Sequence, residues 1–293
     1  MYSQVKKTKY GYYELKNKPS PEELSEYYAE KYFQESKGAF QKAYSEAEIR
    51  FIKNKIARKS IIIQDNISTN RRKKFLDIGC GEGWALAYFH SKGWEVKGLD
   101  FSKYGCESIN PDMALFIESG DVYDHIMKLT DSPEKFDVIL LDNVLEHVLE
   151  PEEFIQSLPN MLNSDGILII EVPNDFSILQ KFLYEQQKID RAFWVAIPDH
   201  ISYFNANGLK SLMQANGWEL IHLNTDYPLD LNLVNPDTNY VMDKTKGKKV
   251  HLARVEIENL LDDINPELAI KLLSVYAEMG LGRNITGYFK RAK

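Results

Sequence analysis

Phe75-Leu76-Asp77-Ile78-Gly79-Cys80-Gly81-Glu82-Gly83-Trp84 decides how the rest of the chain is read: an apolar run holding one acid, then glycine at every second position. The run Lys74 to Ile78 is short and bounded by charge and glycine, the mark of a buried strand. Trp84 to Lys92 sets Leu86, Ala87, Tyr88 and Phe89 on helical spacing, so strand, glycine turn and helix succeed one another. Glycines in such a turn reach positive φ and let a ligand approach the backbone where no Cβ intervenes. In open α/β sheets, ligands bind at turns of this kind, at the carboxyl ends of central strands.

The dinucleotide fingerprint Gly-x-Gly-x-x-Gly would need glycine at position 84, which is tryptophan, and this counts against NAD or FAD. Asp77 adds a carboxylate beside the turn that repels a pyrophosphate and attracts an ammonium. The pattern Asp-x-Gly-x-Gly-x-Gly resembles the loop of the class I S-adenosylmethionine-dependent methyltransferases. That resemblance implies cofactor contacts at Asp77, Gly79, Cys80, Gly81, Gly83 and Trp84.

Further along, Glu95 to Asp100 reads as a second strand ending in an acid. Asp100 lies 21 residues after Gly79, where α/β nucleotide folds place a carboxylate against ribose hydroxyls, and Phe101 follows it. Ser102 and a helix from about Lys103 give Asp100 a capping reading as well. Leu115 to Val122 reads as a third strand, then Gly120-Asp121; the resemblance implies that Asp121 receives the adenine amino group, with Val122 beside the ring. Phe136 to Leu141 makes a central strand covered on both faces. Its end carries Asp142, Asn143, Val144, Glu146 and His147, and the ending Leu-Glu-His-Val is similar to that of methyltransferases acting on small molecules; the resemblance implies cofactor contacts at Asp142, Asn143 and Val144, and at Phe101 beside Asp100. His147 has two readings: it orients or deprotonates an acceptor, or it braces the loop.

Phe154 to Leu162 reads as a helix, Asn163 to Gly166 as a turn, and Ile167 to Val172 as a strand stopped by Pro173. Strands alternating with helices imply a parallel sheet. With Glu219 to Thr225 as sixth strand and Asn284 to Lys290 as antiparallel seventh, the expected class is α/β. The architecture is a doubly wound, mostly parallel seven-stranded sheet, a Rossmann-like methyltransferase fold. Residues 1–70 are expected to form a helical cap, with Ser20 capping a helix through Glu23. Residues 71–228 form the cofactor-binding core, 229–282 a helical insertion, and 283–293 the final strand.

The irregular aromatic stretch 175–208 contains Trp194, Asp199-His200 and Tyr203. Asp-His-x-x-x-Phe, followed by a helix and Gly-Trp-Glu, resembles a portion of sugar methyltransferases in which an acid–His pair faces the acceptor. The chain lacks the amino-terminal zinc-binding cysteines of the sugar C-methyltransferases. His200 is the candidate base, oriented by Asp199; Tyr28, Tyr32, Trp194 and Tyr203 are candidate acceptor contacts. Arg283 either binds an anionic acceptor group or is an exposed arginine.

A net charge of −7 without a basic run argues against a nucleic-acid partner. No apolar stretch approaches the roughly 20 residues of a membrane helix, and Met1 to Lys9 lacks a signal-peptide core. Two cysteines make neither a disulfide framework nor a zinc site, so no metal is expected. The expectation is a cytoplasmic enzyme, with a homodimer contact through the insertion as one option, that methylates a hydroxyl of a small molecule, foremost a sugar or surface-polysaccharide precursor. N-methylation of an amino sugar and cofactor binding without turnover are the alternatives.

Overall fold

In the computed structural model, residues 3–20, 22–24, 27, 43–67 and 72–292 are described. In chain order the elements are β1 (Val5–Lys7), β2 (Tyr13–Leu15), α1 (Glu46–Asn66), β3 (Lys74–Ile78), α2 (Trp84–Ser91), β4 (Glu95–Asp100) and α3 (Tyr104–Ile109). After these come β5 (Ile117–Ser119), α4 (Val122–Thr130), β6 (Phe136–Asp142), α5 (Pro151–Ser157), β7 (Leu162–Pro173) and α6 (Ile178–Glu185). The chain ends with β8 (Ser202–Tyr203), α7 (Ala206–Ala215), β9 (Trp218–Thr225), α8 (Gly247–Ile264), α9 (Pro266–Glu278) and β10 (Asn284–Arg291).

Seven strands pair in the order β5-β4-β3-β6-β7-β10-β9. The pairs from β5 to β7 are parallel, and β10 runs antiparallel to both neighbours, as expected for the final strand. The order reverses between β3, which pairs β4 on one side, and β6 on the other. Ligands of open α/β sheets bind at that reversal.

Successive strand residues point to opposite faces, and both faces are covered. Leu76, Ile139, Leu141 and Leu168 enter one apolar cluster with Phe204, Trp218 and Phe289. Their neighbours Phe75, Val138, Leu140 and Ile169 enter another with Ile56 and Ile63 of α1 and Phe89 of α2. Each fully buried side chain of this size stabilises the fold by roughly 1.5–3 kcal/mol. The helix α1 starts at a reciprocal cap, in which Ser45 Oγ accepts from Glu48 N and Glu48 returns a carboxylate oxygen to Ser45 N.

The amino-terminal segment differs from a purely helical cap. β1 and β2 pair antiparallel, and β2 pairs β8, so residues 5–15 form a second, three-stranded sheet with the acceptor-loop segment. The strand is reached because Tyr12 and Leu15 carry enough apolar surface to be buried. Ser20 and Glu23 do make the expected reciprocal bonds. The third strand is shorter than read: Pro111 starts a 3-10 turn, Pro111–Phe116, and leaves Leu115 87% exposed. Residues 229–282 hold α8 and α9. Among the described residues no helix is long and apolar enough to cross a membrane.

Candidate active site

At the β3–β6 reversal lies a cavity of about 670 Å³, bounded by the glycine turn, the tips of β4 and β6, the start of α4 and one face of α1. Asp77, Gly79, Cys80, Gly81, Trp84, Asp100, Phe101, Asp121, Val122, Asp142, Asn143, Val144 and His147 all line it. Gly83 does not; its role is packing, since a Cβ there would stand 2.7 Å from Cys106 Sγ.

The turn is tied to β4 by backbone. Gly79 N and Cys80 N both donate to Leu99 O, at 2.7 and 3.2 Å. Gly81 N donates to Asp100 Oδ2 at 2.8 Å, and Ser102 N to Asp100 Oδ1 at 3.1 Å. Asp100 therefore serves the turn and the following loop at once, and burial raises its pKa against these backbone bonds. Gly79, at φ +73°, has no room for a side chain, because a Cβ would lie 2.5 Å from Val144 Cγ2. A Cβ on Gly81 would meet no atom of the described residues within 4 Å, so among them this part of the cradle is open space.

Asp121 caps α4, accepting from Tyr123 N at 2.8 Å and Asp124 N at 3.3 Å through the same oxygen. Asn143 holds the left-handed conformation, φ 55°, at the tip of β6, one that asparagine tolerates better than most residues. Asp77 is buried, and burial, with the charges of Asp142 and Asp100, pushes its pKa up to about 8 against the opposing pull of Lys59. An ammonium group arriving beside it stabilises the ionised form.

Sequence reasoning missed the two lysines that α1 sends into the cavity. Lys59 Nζ lies 2.8 Å from Asp142 Oδ2 and 2.8 Å from Glu171 Oε2, and Lys55 Nζ lies 3.0 Å from Glu171 Oε1. Burial favours the neutral forms, yet the paired charges win: Glu171 is held well below the usual carboxylate range and Lys59 is raised. Their spacing of four, among Ile52, Ile56 and Ile63, was the available signal for lysines on an inward face. Glu82 was also missed: it accepts from Trp84 Nε1 at 2.7 Å and from the Tyr44 hydroxyl, which closes the outer side of the turn.

Next to His147 the structure assembles a second polar group. The ring centroids of His147 and His200 are 5.1 Å apart, and His147 Nδ1 is 2.6 Å from Asp199 O. The Asp199 carboxylate accepts from the Tyr27 hydroxyl at 2.5 Å. His200 Nδ1 also has a carboxylate that the sequence did not indicate, Asp175 Oδ2, at 4.0 Å. Burial and the charge of Asp230 raise Asp175 to about 7 even though Arg283 opposes the shift. Glu146, 1% exposed, is raised well above its usual range by burial, with Asp175, Asp142 and Glu171 adding to it.

Three expected acceptor contacts are corrected. Trp194 and Tyr203 are 1% and 0% exposed and belong to the apolar cluster of Val5, Leu15, Phe176 and Leu183. They support the loop from beneath and do not line the cavity. Arg283 also lies away from it: its guanidinium pairs with Asp175 at 3.4 Å and stacks over Phe193. Tyr28 and Tyr32 lie outside the described residues.

The sheet order and this turn define a nucleotide-type cofactor site, and comparison with known proteins identifies its class. The family described as a methyltransferase domain matches residues 46–223, and the chain belongs to it. It is a class I S-adenosylmethionine-dependent methyltransferase, and its cofactor is S-adenosylmethionine. Residues of the ubiquinone biosynthesis O-methyltransferase of Glaesserella parasuis serovar 5 (strain SH0165) are 36% identical over 111 positions, covering 35% of this chain and 46% of that protein. The enzyme of the same name from Aliivibrio fischeri (strain MJ11) is 25% identical over 189 positions, covering 59% and 77%. The chain thus spans about half the length of the first of these relatives. A solved methyltransferase from Archaeoglobus fulgidus superposes with a TM-score of 0.49 at 17% identity, covering 81% of this chain and 94% of that one.

Proposed function

We propose that the chain transfers a methyl group to a hydroxyl oxygen of a small molecule. The observation that carries this reading is one wall residue, His147, which lines the cofactor cavity and sits against His200 outside it. Cofactor and acceptor ends thereby share a boundary. The relatives named as O-methyltransferases support oxygen as the accepting atom.

The residues fit the cofactor on the structure's own terms. Asp77 supplies a buried carboxylate for an ammonium, the open side of Gly81 leaves a space without a Cβ, and Asp100 and Asp121 stand at the two strand tips where ribose and adenine belong. The cofactor, when bound, supplies an activated sulfonium methyl. The protein's contribution is alignment, for which roughly 7–11 kcal/mol is available, against about 3–5 kcal/mol from a positioned base. Phe51, Phe154 and Val148 exclude water along the apolar wall.

Within the hydroxyl class, the sugar reading is weakened by burial of Trp194 and Tyr203, the rings that would have stacked on a pyranose. Its remaining support is the Asp199-His200 segment. The test is turnover of labelled S-adenosylmethionine with matched sets of phenols, sugars and amines, read by mass spectrometry of the products. Methylated alcohols or phenols are expected; methylation of amines alone overturns the reading.

A further inference from the structure

Directly behind the His147 wall, Glu146, His147 and His200 bring one ligand atom each to within 4.8 Å of one another. Three features separate this group from an ordinary polar cluster. First, Glu146 is 1% exposed and, among the described residues, neither of its carboxylate oxygens has a hydrogen-bond partner. An ionised carboxylate in that position is costly without a cation. Second, His147 Nδ1 lies 2.6 Å from the backbone oxygen of Asp199, and that bond sets the proton on Nδ1. Nε2 is then the lone-pair nitrogen, and it is the one that faces Glu146 Oε1, at 3.8 Å. A ligating histidine whose second nitrogen donates to a backbone carbonyl is the usual outer-shell arrangement of metal sites. Third, Ile201 N donates to Glu146 O at 2.9 Å, so the segment carrying His200 is fastened to the segment carrying the other two ligands.

We propose that Glu146, His147 and His200 form a divalent-cation site at the acceptor end of the methyl-transfer cavity. Two imidazoles and one carboxylate suit Zn²⁺, Co²⁺, Fe²⁺ or Mn²⁺ and disfavour Mg²⁺ and Ca²⁺, which prefer oxygen ligands throughout. Ligands at about 2.0–2.2 Å from a tetrahedral ion stand about 3.4 Å apart, so side-chain rotation of under about 1 Å per ligand closes the site from its present spacing. Three protein ligands leave open positions, the pattern of a site that takes up substrate rather than one that only holds a fold. Of the three ligands His147 lines the cavity and Glu146 and His200 do not, so an ion held here borders the cavity through His147. An acceptor hydroxyl oxygen binding there is held in place and is more readily deprotonated. That role, though not the existence of the site, rests on the hydroxyl-transfer reading.

The test uses the full chain after exhaustive chelation, titrated with CoCl₂ and no acceptor, by calorimetry and visible absorption. One Co²⁺ per chain is expected at micromolar affinity, with ligand-field bands that report nitrogen ligation. Glu146→Gln, which keeps the buried shape, and His200→Ala, which is partly solvent-facing, are each expected to weaken binding at least about tenfold. Retained binding of S-adenosylhomocysteine shows that each variant is folded; if Glu146→Gln is not, His200→Ala decides. Failure of the wild-type chain to take up a stoichiometric ion at about 1 mM Co²⁺ overturns the site, as does unchanged affinity in the folded variants. Methyl transfer to a hydroxyl acceptor is measured separately. Co²⁺ binding without such transfer leaves the site standing and defeats the hydroxyl reading, whereas full turnover after chelation defeats the proposed role of the ion.

Discussion

The two ends of the cavity are built on opposite plans. At the cofactor end, Asp77, the glycine turn and Asp100 come from one strand–turn–helix–strand unit, and Asp100 is satisfied by backbone donors from its own unit. At the acceptor end, Glu146 and His147, Asp175, and Asp199 with His200 come from three separate loops, and among the described residues both oxygens of buried Glu146 and one oxygen of buried Asp175 have no hydrogen-bond partner. Local construction yields a rigid cradle for a cofactor whose chemistry does not vary. Construction from distant loops yields a site in which acceptor specificity is free to change while the sheet stays the same.

The most severe test of this contrast falls on the lysine that α1 lays between β6 and β7. Lys59→Met leaves Asp142 and the buried Glu171 without their shared cation, an expected loss of about 3–5 kcal/mol. Thermal unfolding is expected about 10 °C lower, with both ends of the cavity disturbed. An unchanged melting temperature means that Lys59 is not what fixes β6 beside the site. Next in size, Gly79→Ala forces a methyl to 2.5 Å from Val144 Cγ2 at φ +73°. Overpacking and left-handed strain together cost about 2–4 kcal/mol, and cofactor binding should fall beyond detection by calorimetry while the loop carrying His200 keeps its protease resistance. Loss of that resistance as well shows that the two ends are coupled.

Asp77 sharpens the electrostatic side. Its folded pKa of about 8 lies above the ordinary value of 3.8, so between these limits the folded chain holds a proton that the unfolded chain has released. Stability from this group is complete below the lower value and is lost as pH rises through the upper one. Asp77→Asn is therefore expected to flatten the fall in melting temperature between about pH 5 and pH 8. The same change removes the partner of an ammonium and weakens cofactor binding about ten- to a hundredfold. A variant whose pH profile matches the wild type contradicts the burial argument.

The contrast also explains what was legible. The cofactor end was readable because its residues are consecutive in sequence and its glycines have a mechanical reason: Gly79 for want of space, Gly81 for an open approach. Lys55 and Lys59 were not, since a helix with lysines four apart reads equally as solvated until the sheet beneath it supplies Glu171 and Asp142. At the acceptor end, the sequence singled out His147 and His200 separately and paired His200 with its neighbour Asp199; that the two rings meet was not readable from it. Asp175 is brought to His200 only by the turn after β7. Trp194 and Tyr203 looked like acceptor contacts because composition does not say which side of a loop a ring occupies. The amino-terminal strands were hidden for a similar reason, as their partner β8 lies nearly 190 residues away.

The smallest expected effect belongs to Gly81→Ala. Its added methyl meets no atom of the described residues within 4 Å, so the fold should lose only about 1 kcal/mol from left-handed strain, while the methyl enters the cofactor's space and lowers affinity. A stability loss as large as that of Gly79→Ala would mean that the turn is uniformly packed and has no open side.

The central claim is that the turn and Asp100 together hold the cofactor, and calorimetric titration of the full chain with S-adenosylhomocysteine, beside Asp100→Ala, tests it most directly. Binding of one molecule per chain, weakened at least about tenfold in the variant, is the predicted result. Absence of heat with the folded wild-type chain, or equal affinity in the two proteins, would contradict it.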